Sequence, residues 1–279
     1  MTAIRYDVLG IGNAIVDVLA RTDDDFLVQQ KMPKGSMSLI DAGRAQAIYD
    51  AMGPATEMSG GSAANTIAGV ASFGGRAAFV GKVKDDELGK AFTHDIRAMG
   101  VAFNTPPAND GSSTARCYVL VTPDGERTMN TYLGAAQNLS PADVAEDEIA
   151  SAAITYLEGY LWDPQNAKEA FRKAAKIAHG AGRTVALTLS DSFCVDRYRA
   201  EFIDLVKNGT VDLLFANEHE LKSLYETADF DAALATLQKD ARLAVVTRSE
   251  KGAVVVEGSK VEKVPVFPVE RVVDATGAG

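Results

Sequence analysis

Residues 60–89 read GGSAANTIAGVASFGGRAAFVGKVKDDELG, and their rhythm decides the fold. After two glycines, apolar residues recur at spacings of three and four, which predicts a helix stopped at Gly74. AAFVG (77–81) follows as a short apolar strand, and DELGKAFTHDIRAMG (86–100) as a second helix ending at Gly100. The same alternation extends both ways. YDVLGIG (6–12) reads as a first strand, and DAGRAQAIYDAM (41–52) as a helix with Asp41 as its N-cap. Downstream, ITYLEG (154–159), TVALTL (184–189), DLLFAN (212–217) and LAVVT (243–247) read as buried strands. Between them lie helical patterns at 164–180, 196–209 and 229–240. Strand–helix alternation of this kind predicts an α/β fold, a mostly parallel sheet with helices on both faces. Its length suits one domain over 1–279.

Two stretches break the rhythm. AIVDVLARTD (14–23) with GSMSLI (35–40), and SSTARCYVLVTPDGERTMNTYLG (112–134), read as strands without intervening helices. The second carries a hairpin signal, TPDGE, between two β-rich runs. These ranges, about 14–40 and 112–133, predict a small sheet standing off the main one as a lid over a ligand site.

Composition narrows the functions. Net charge is −10 with no long basic run, a field that repels nucleic acid and anionic membrane and leaves a small molecule as the expected partner. Backbone N–H groups can still hold phosphate in such a chain. Two distant cysteines, Cys117 and Cys194, argue against a disulfide framework or a zinc site and suit a reducing cytoplasm. No apolar run approaches the length of about 18 residues that a membrane span needs, and the N-terminal residues do not read as a signal peptide. An exposed lid edge permits a homodimer as readily as a monomer.

Common signatures fail. GIGNAI (10–15) has Ile15 where a dinucleotide fingerprint needs its third glycine, GKV (81–83) lacks the P-loop glycine and hydroxyl, and GGSAA (60–64) has Ala64 at the last glycine of a nucleophile elbow. His94, His179 and His219 are scattered.

Five features carry chemistry. DATGAG (274–279) exposes successive N–H groups of Gly277, Ala278 and Gly279, an anion hole if a helix follows and a plain tight turn if not. Gly60 and Gly61 admit close backbone approach at a helix mouth, and Asn65 offers a donor and an acceptor there; equally, Ser62 caps the helix and Asn65 is an exposed polar residue. Asn217 and Glu220, three apart, share a helix face and suit Mg2+ held largely through waters, or form a capping box. TRSEKG (247–252) is a polar turn at a strand's carboxyl end, where nucleotides rest. Asp17, just after the first strand, is placed to accept bonds from two vicinal hydroxyls.

In this order, GGSAANTIAGVASFGGRAAFVGKVKDDELG, NEHE, TRSEKG and DATGAG resemble the ribokinase-like, PfkB-type carbohydrate and nucleoside kinases over essentially the whole chain. GNAIVDV (12–18) and LSDSFCVDRYR (189–199) look most like the adenosine kinases within that family. The resemblance implies a three-layer α/β/α sandwich with a β-sheet lid, and transfer of a phosphoryl group from ATP to a primary hydroxyl. The first acceptor expected is adenosine, giving AMP, a purine-salvage reaction in the cytoplasm. Ribose or fructose is the alternative, and a non-catalytic nucleoside- or sugar-binding protein the third reading. By resemblance Asn13, Asp17, Gly60, Gly61 and Asn65 hold the acceptor, and Asn217, Thr247 and Gly252 the nucleotide. Glu220 and Asn217 order Mg2+, Gly277, Ala278 and Gly279 form the anion hole, and Asp274 and Thr276 bound a monovalent-cation loop for K+. Ala275 stands where many members carry threonine. The family's general-base aspartate is expected immediately after Gly279, so residues 1–279 alone are expected to be inactive in transfer. Phe26, Phe103, Tyr118 and Tyr132, near the lid, are candidates to stack on a purine.

Overall fold

Strand β1 (Tyr6–Ile11) lies inside a nine-stranded sheet in the computed structural model, which describes residues 2–268. Alternation explains its place: Leu9 and Ile11 enter one core and Val8 packs against the other. The chain then leaves the sheet through β2 (Ile15–Arg21), α1 (Asp24–Gln29), β3 (Met37–Leu39), α2 (Ala42–Ala51) and β4 (Ala55–Gly60). It returns through α3 (Ser62–Ser72), β5 (Ala77–Val80), α4 (Glu87–Ala98) and β6 (Val101–Phe103), and leaves again for β7 (Ala115–Val121) and β8 (Arg127–Tyr132). The rest winds outward: α5 (Glu146–Ala150), β9 (Ala152–Glu158), α6 (Gln165–Gly180), β10 (Thr184–Thr188), α7 (Ser192–Lys207) and β11 (Leu213–Asn217). Then come α8 (Glu218–Leu224), α9 (Phe230–Asp240), β12 (Leu243–Thr247), β13 (Ala253–Glu257) and β14 (Lys260–Val264).

The main sheet runs β14-β13-β12-β11-β10-β9-β1-β5-β6, parallel except where β13 and β14 turn back at one edge. Leu187, Ala216 and Val246 share one core with residues of α6 to α9; Phe79 shares the other with Ile67 of α3 and with Phe92 and Ile96 of α4. These are the two helix layers that the alternation predicts. Helix α7 starts earlier than its apolar pattern suggests. Asp191 caps it by accepting from the Cys194 N–H, and Tyr198 (φ −126°) kinks it near the expected start.

The smaller sheet runs β3-β8-β7-β2-β4. Its β7–β8 hairpin turns through Thr122–Glu126, with Gly125 at φ +83°, as TPDGE predicts. The predicted ranges miss one strand, β4, because ATEMSG is exposed over most of its length and shows no apolar alternation. One face of this sheet (Val16, Val18, Tyr118, Leu120) packs with Leu27 of α1 and with Ala45 and Ile48 of α2. Register puts Asp17 on the other face, beside Cys117 and Met58.

Candidate active site

β1 pairs with β5 on one side and β9 on the other, and strand order reverses between β1 and β9: β5 and β6 follow outward from β1, while β10, β11 and β12 follow outward from β9 in the opposite direction. A crevice opens at such a switch point. Asn13 follows β1, and Glu158 ends β9. Glu158 is 1% exposed. Its Oε2 accepts from the Asn13 backbone N–H at 2.6 Å and from Asn13 Nδ2 at 2.9 Å, and its Oε1 accepts from the Ala63 N–H at 3.0 Å. Burial raises the Glu158 carboxyl pKa, while the bonds from Asn13 and Ala63 oppose the rise.

Glu158 therefore satisfies an orphan donor at the start of α3, whose N-cap residue Gly61 has no side chain. Ser62 is not the cap the sequence suggests; it is the first helical residue. Glu158 was absent from the residues expected from sequence. Its partners lie 145 and 95 positions away, and the only local signal is an acid ending a buried strand.

The structure brings Asn13, Asp17, Gly60 and Gly61 together. A Cβ on Gly60 would overlap the Asp17 carboxylate; one on Gly61, at φ +98°, would overlap the Asn13 carbonyl oxygen. Glycine is thus required for this close approach. Asn65 is exposed one turn into α3, with its backbone N–H bonded to the Gly61 carbonyl. Burial pushes the Asp17 carboxyl up to about 6, opposed by the charge of Arg127. The Asp17 face of the small sheet is otherwise mainly apolar and rich in sulfur. Leu19, Cys117, Val119 and Met129 share it by register, with Met37, Leu39 and Met58, which are 40%, 56% and 43% exposed.

The four aromatic residues expected beside a purine sit elsewhere. Phe103 is buried in a cluster with Phe79 and Phe92, and Tyr118 is buried in the same core. Phe26 and Tyr132 pack against that core. Alternation is the cause: Tyr118 follows Cys117 and so points to the opposite face.

A second group forms at the ends of β11 and β12, where Asn217 and Thr247 are register partners. β10 separates β9 from β11, so this group lies about 10 Å from Glu158 along the same sheet edge. Asn217 caps α8 and Glu220 completes the box. The Glu220 N–H donates to Asn217 Oδ1 at 2.8 Å; the Asn217 N–H and Nδ2 donate to Glu220 Oε2 and Oε1 at 2.9 and 2.7 Å. Burial raises the Glu220 carboxyl to about 7. Both Glu220 oxygens are engaged by Asn217, and among the described residues no group of three or more His, Cys, Asp or Glu could cage a metal. The donor set therefore fits an ion held mainly by other ligands, with Glu220 at one remove. Gly252 (φ +82°) is glycine for a local reason, since a Cβ there would overlap the Val264 carbonyl oxygen. Asp274, Thr276, Gly277, Ala278 and Gly279 lie outside the described residues.

Among the described residues no helix is long and apolar enough to cross a membrane. The sequence profile of the pfkB family carbohydrate kinases matches residues 43–279. The crystal structure of adenosine kinase from Sinorhizobium meliloti is 59% identical, with a TM-score of 0.91 over 98% of this chain and 84% of that one. A probable sugar kinase protein from Rhizobium etli CFN 42 is 54% identical, with a TM-score of 0.92 over 100% of this chain and 84% of that one. A probable fructokinase-3 of Arabidopsis thaliana is 28% identical over 232 residues, 79% of this chain. This chain spans 65% of that fructokinase.

Proposed function

The chain belongs to the pfkB family of carbohydrate kinases, and we propose that it serves phosphoryl transfer from ATP to the primary hydroxyl of a nucleoside, adenosine first. One observation carries the choice of acceptor. Asp17 stands on a face whose other members are mainly Leu, Val, Met and Cys, with Met37, Leu39 and Met58 exposed and Thr131 and Arg127 as polar neighbours. A free sugar is hydroxylated all round and gains little from such a surface. A nucleoside divides its demands, giving its ribose hydroxyls to a carboxylate and its flat base to an apolar, polarizable wall. The name of the 59%-identical adenosine kinase supports the same acceptor.

In this reading the Asp17 carboxylate accepts from two ribose hydroxyls, and Asn65 bonds a third polar group of the acceptor. Glu158 holds Asn13 and the first turn of α3 in place, so the acceptor meets a preorganised wall. The nucleotide lies along Thr247–Gly252, near the N-terminus of α8. Mg2+, when bound, neutralises phosphate charge, with Asn217 and Glu220 as its nearest protein groups. By resemblance, the backbone N–H groups of Gly277, Ala278 and Gly279 face the transferring group, and Asp274 and Thr276 flank a K+ site.

Release of ADP from ATP, measured with adenosine, ribose and fructose in turn, tests the reading. Adenosine is expected to be the acceptor that supports release. Release with either sugar and not with adenosine would replace the nucleoside by a free sugar. Calorimetric binding of the same three compounds reads the same selectivity without the transfer step.

A further inference from the structure

The turn proposed to carry the nucleotide is fastened at one point. Arg248 follows Thr247, and its Nε donates to Glu218 Oε2 at 2.8 Å. Its guanidinium also lies 3.7 Å from the ring centroid of Phe230, a buried residue opening α9. Glu218 is the first residue of α8, next to Asn217 and on the same helix start as Glu220. Arg248 also closes the turn through its backbone: its N–H donates to the Gly252 carbonyl at 2.7 Å, and its carbonyl accepts from the Lys251 N–H at 3.0 Å. Between these bonds Ser249 (φ +52°) holds a left-handed conformation, which costs a non-glycine residue free energy and persists where its surroundings fix it, while Gly252 (φ +82°) takes its positive φ freely.

We propose that Arg248 is a positioning residue, joining the 247–252 turn to the α8 N-terminus through Glu218 so that Thr247 and the Asn217–Glu220 box present one rigid surface to the nucleotide. This inference rests on the functional reading above. A guanidinium suits the task because its planar face stacks on Phe230 while its edge donates to the carboxylate. Glu218 is also engaged by Lys222 at 2.9 Å, with Lys251 at 3.9 Å.

The test is a calorimetric titration with ADP and Mg2+, and separately with adenosine, on the wild-type chain, R248K, R248L, E218Q and the R248L/E218Q double variant. R248L is expected to weaken ADP about tenfold and R248K about threefold, while adenosine affinity is unchanged. In the E218Q background, adding R248L is expected to cost less than about twofold, because the carboxylate charge through which Arg248 acts is already gone. Equal ADP affinity in R248L and wild type would overturn the proposal, and so would a full tenfold loss within the E218Q background, which would mean direct contact with phosphate. If R248L does not fold, amide exchange at 249–252 in E218Q decides: faster exchange supports the fastening and unchanged exchange overturns it. A wild-type chain that binds adenosine but not ADP would overturn the nucleotide reading itself, a result distinct from all of these.

Discussion

Glu158 and Glu220 perform the same operation at two places along one sheet edge. Each is buried, each accepts from the backbone N–H and the Nδ2 of an asparagine, and each sits at the start of a helix. They differ in reach. Glu220 binds a residue three positions away and organises one turn of α8. Glu158 binds residues 145 and 95 positions away and ties β1, β9 and α3 together. A local cap can fail without disturbing the fold around it, whereas a tie between three distant elements cannot. The acceptor side is therefore expected to be the more sensitive to loss of its carboxylate.

The largest effect should come from Glu158→Ala. Three buried donors lose their acceptor, and at a cost of order 1 kcal/mol each the chain should lose about 3 kcal/mol of stability. Adenosine affinity should fall by about 2 kcal/mol, roughly thirtyfold, as Asn13 and the α3 start shift. Chemical denaturation and calorimetry on the same preparation check both. A variant with normal adenosine binding would show that Glu158 supports only the fold.

Next comes a divergence between binding and stability with pH. With Asp17 raised to about 6, lowering the pH from 7.5 to 5 converts most of it to the acid and should weaken adenosine about tenfold. Stability should move the other way. Asp17, Glu158 and Glu220 all have raised values, so between the ordinary carboxyl range and about 7 the folded chain binds more protons than the unfolded one. Their contribution to stability is greatest at the acid end of that window and is lost as pH rises through it. Thermal midpoints at pH 5.5 and 7.5 check the sign, and a lower midpoint at pH 5.5 would contradict it.

The smallest effect is expected from Glu220→Ala, about 1 kcal/mol of stability, the usual worth of a helix cap, with adenosine affinity unchanged. ADP affinity should fall in this variant and not in Glu158→Ala, which separates the two halves of the site. Loss of adenosine binding in Glu220→Ala would break the comparison.

The same contrast of local and distant partners sets what the sequence could disclose. The α3, β5 and α4 run was legible because each boundary is marked within a few residues, by Gly61, Gly74, Asp86 and Gly100. The Asn217–Glu220 box was legible for the same reason. β4 was not, since an exposed edge strand needs no apolar alternation. Nor could the aromatic residues be assigned to the right face: a strand's pattern gives two faces but not which of them meets the core. Tyr118 and Cys117 are one residue apart and do opposite things. Glu158 lay deepest of all, because nothing near it in sequence is its partner.

The most direct measurement is a calorimetric titration of adenosine, ribose and fructose into the wild-type chain and into Asp17→Asn at pH 7.5. Adenosine is expected to bind, both sugars far more weakly, and Asp17→Asn is expected to weaken adenosine by about tenfold through loss of a charged acceptor. Tighter binding of either sugar, or adenosine binding indifferent to Asp17→Asn, would contradict this expectation.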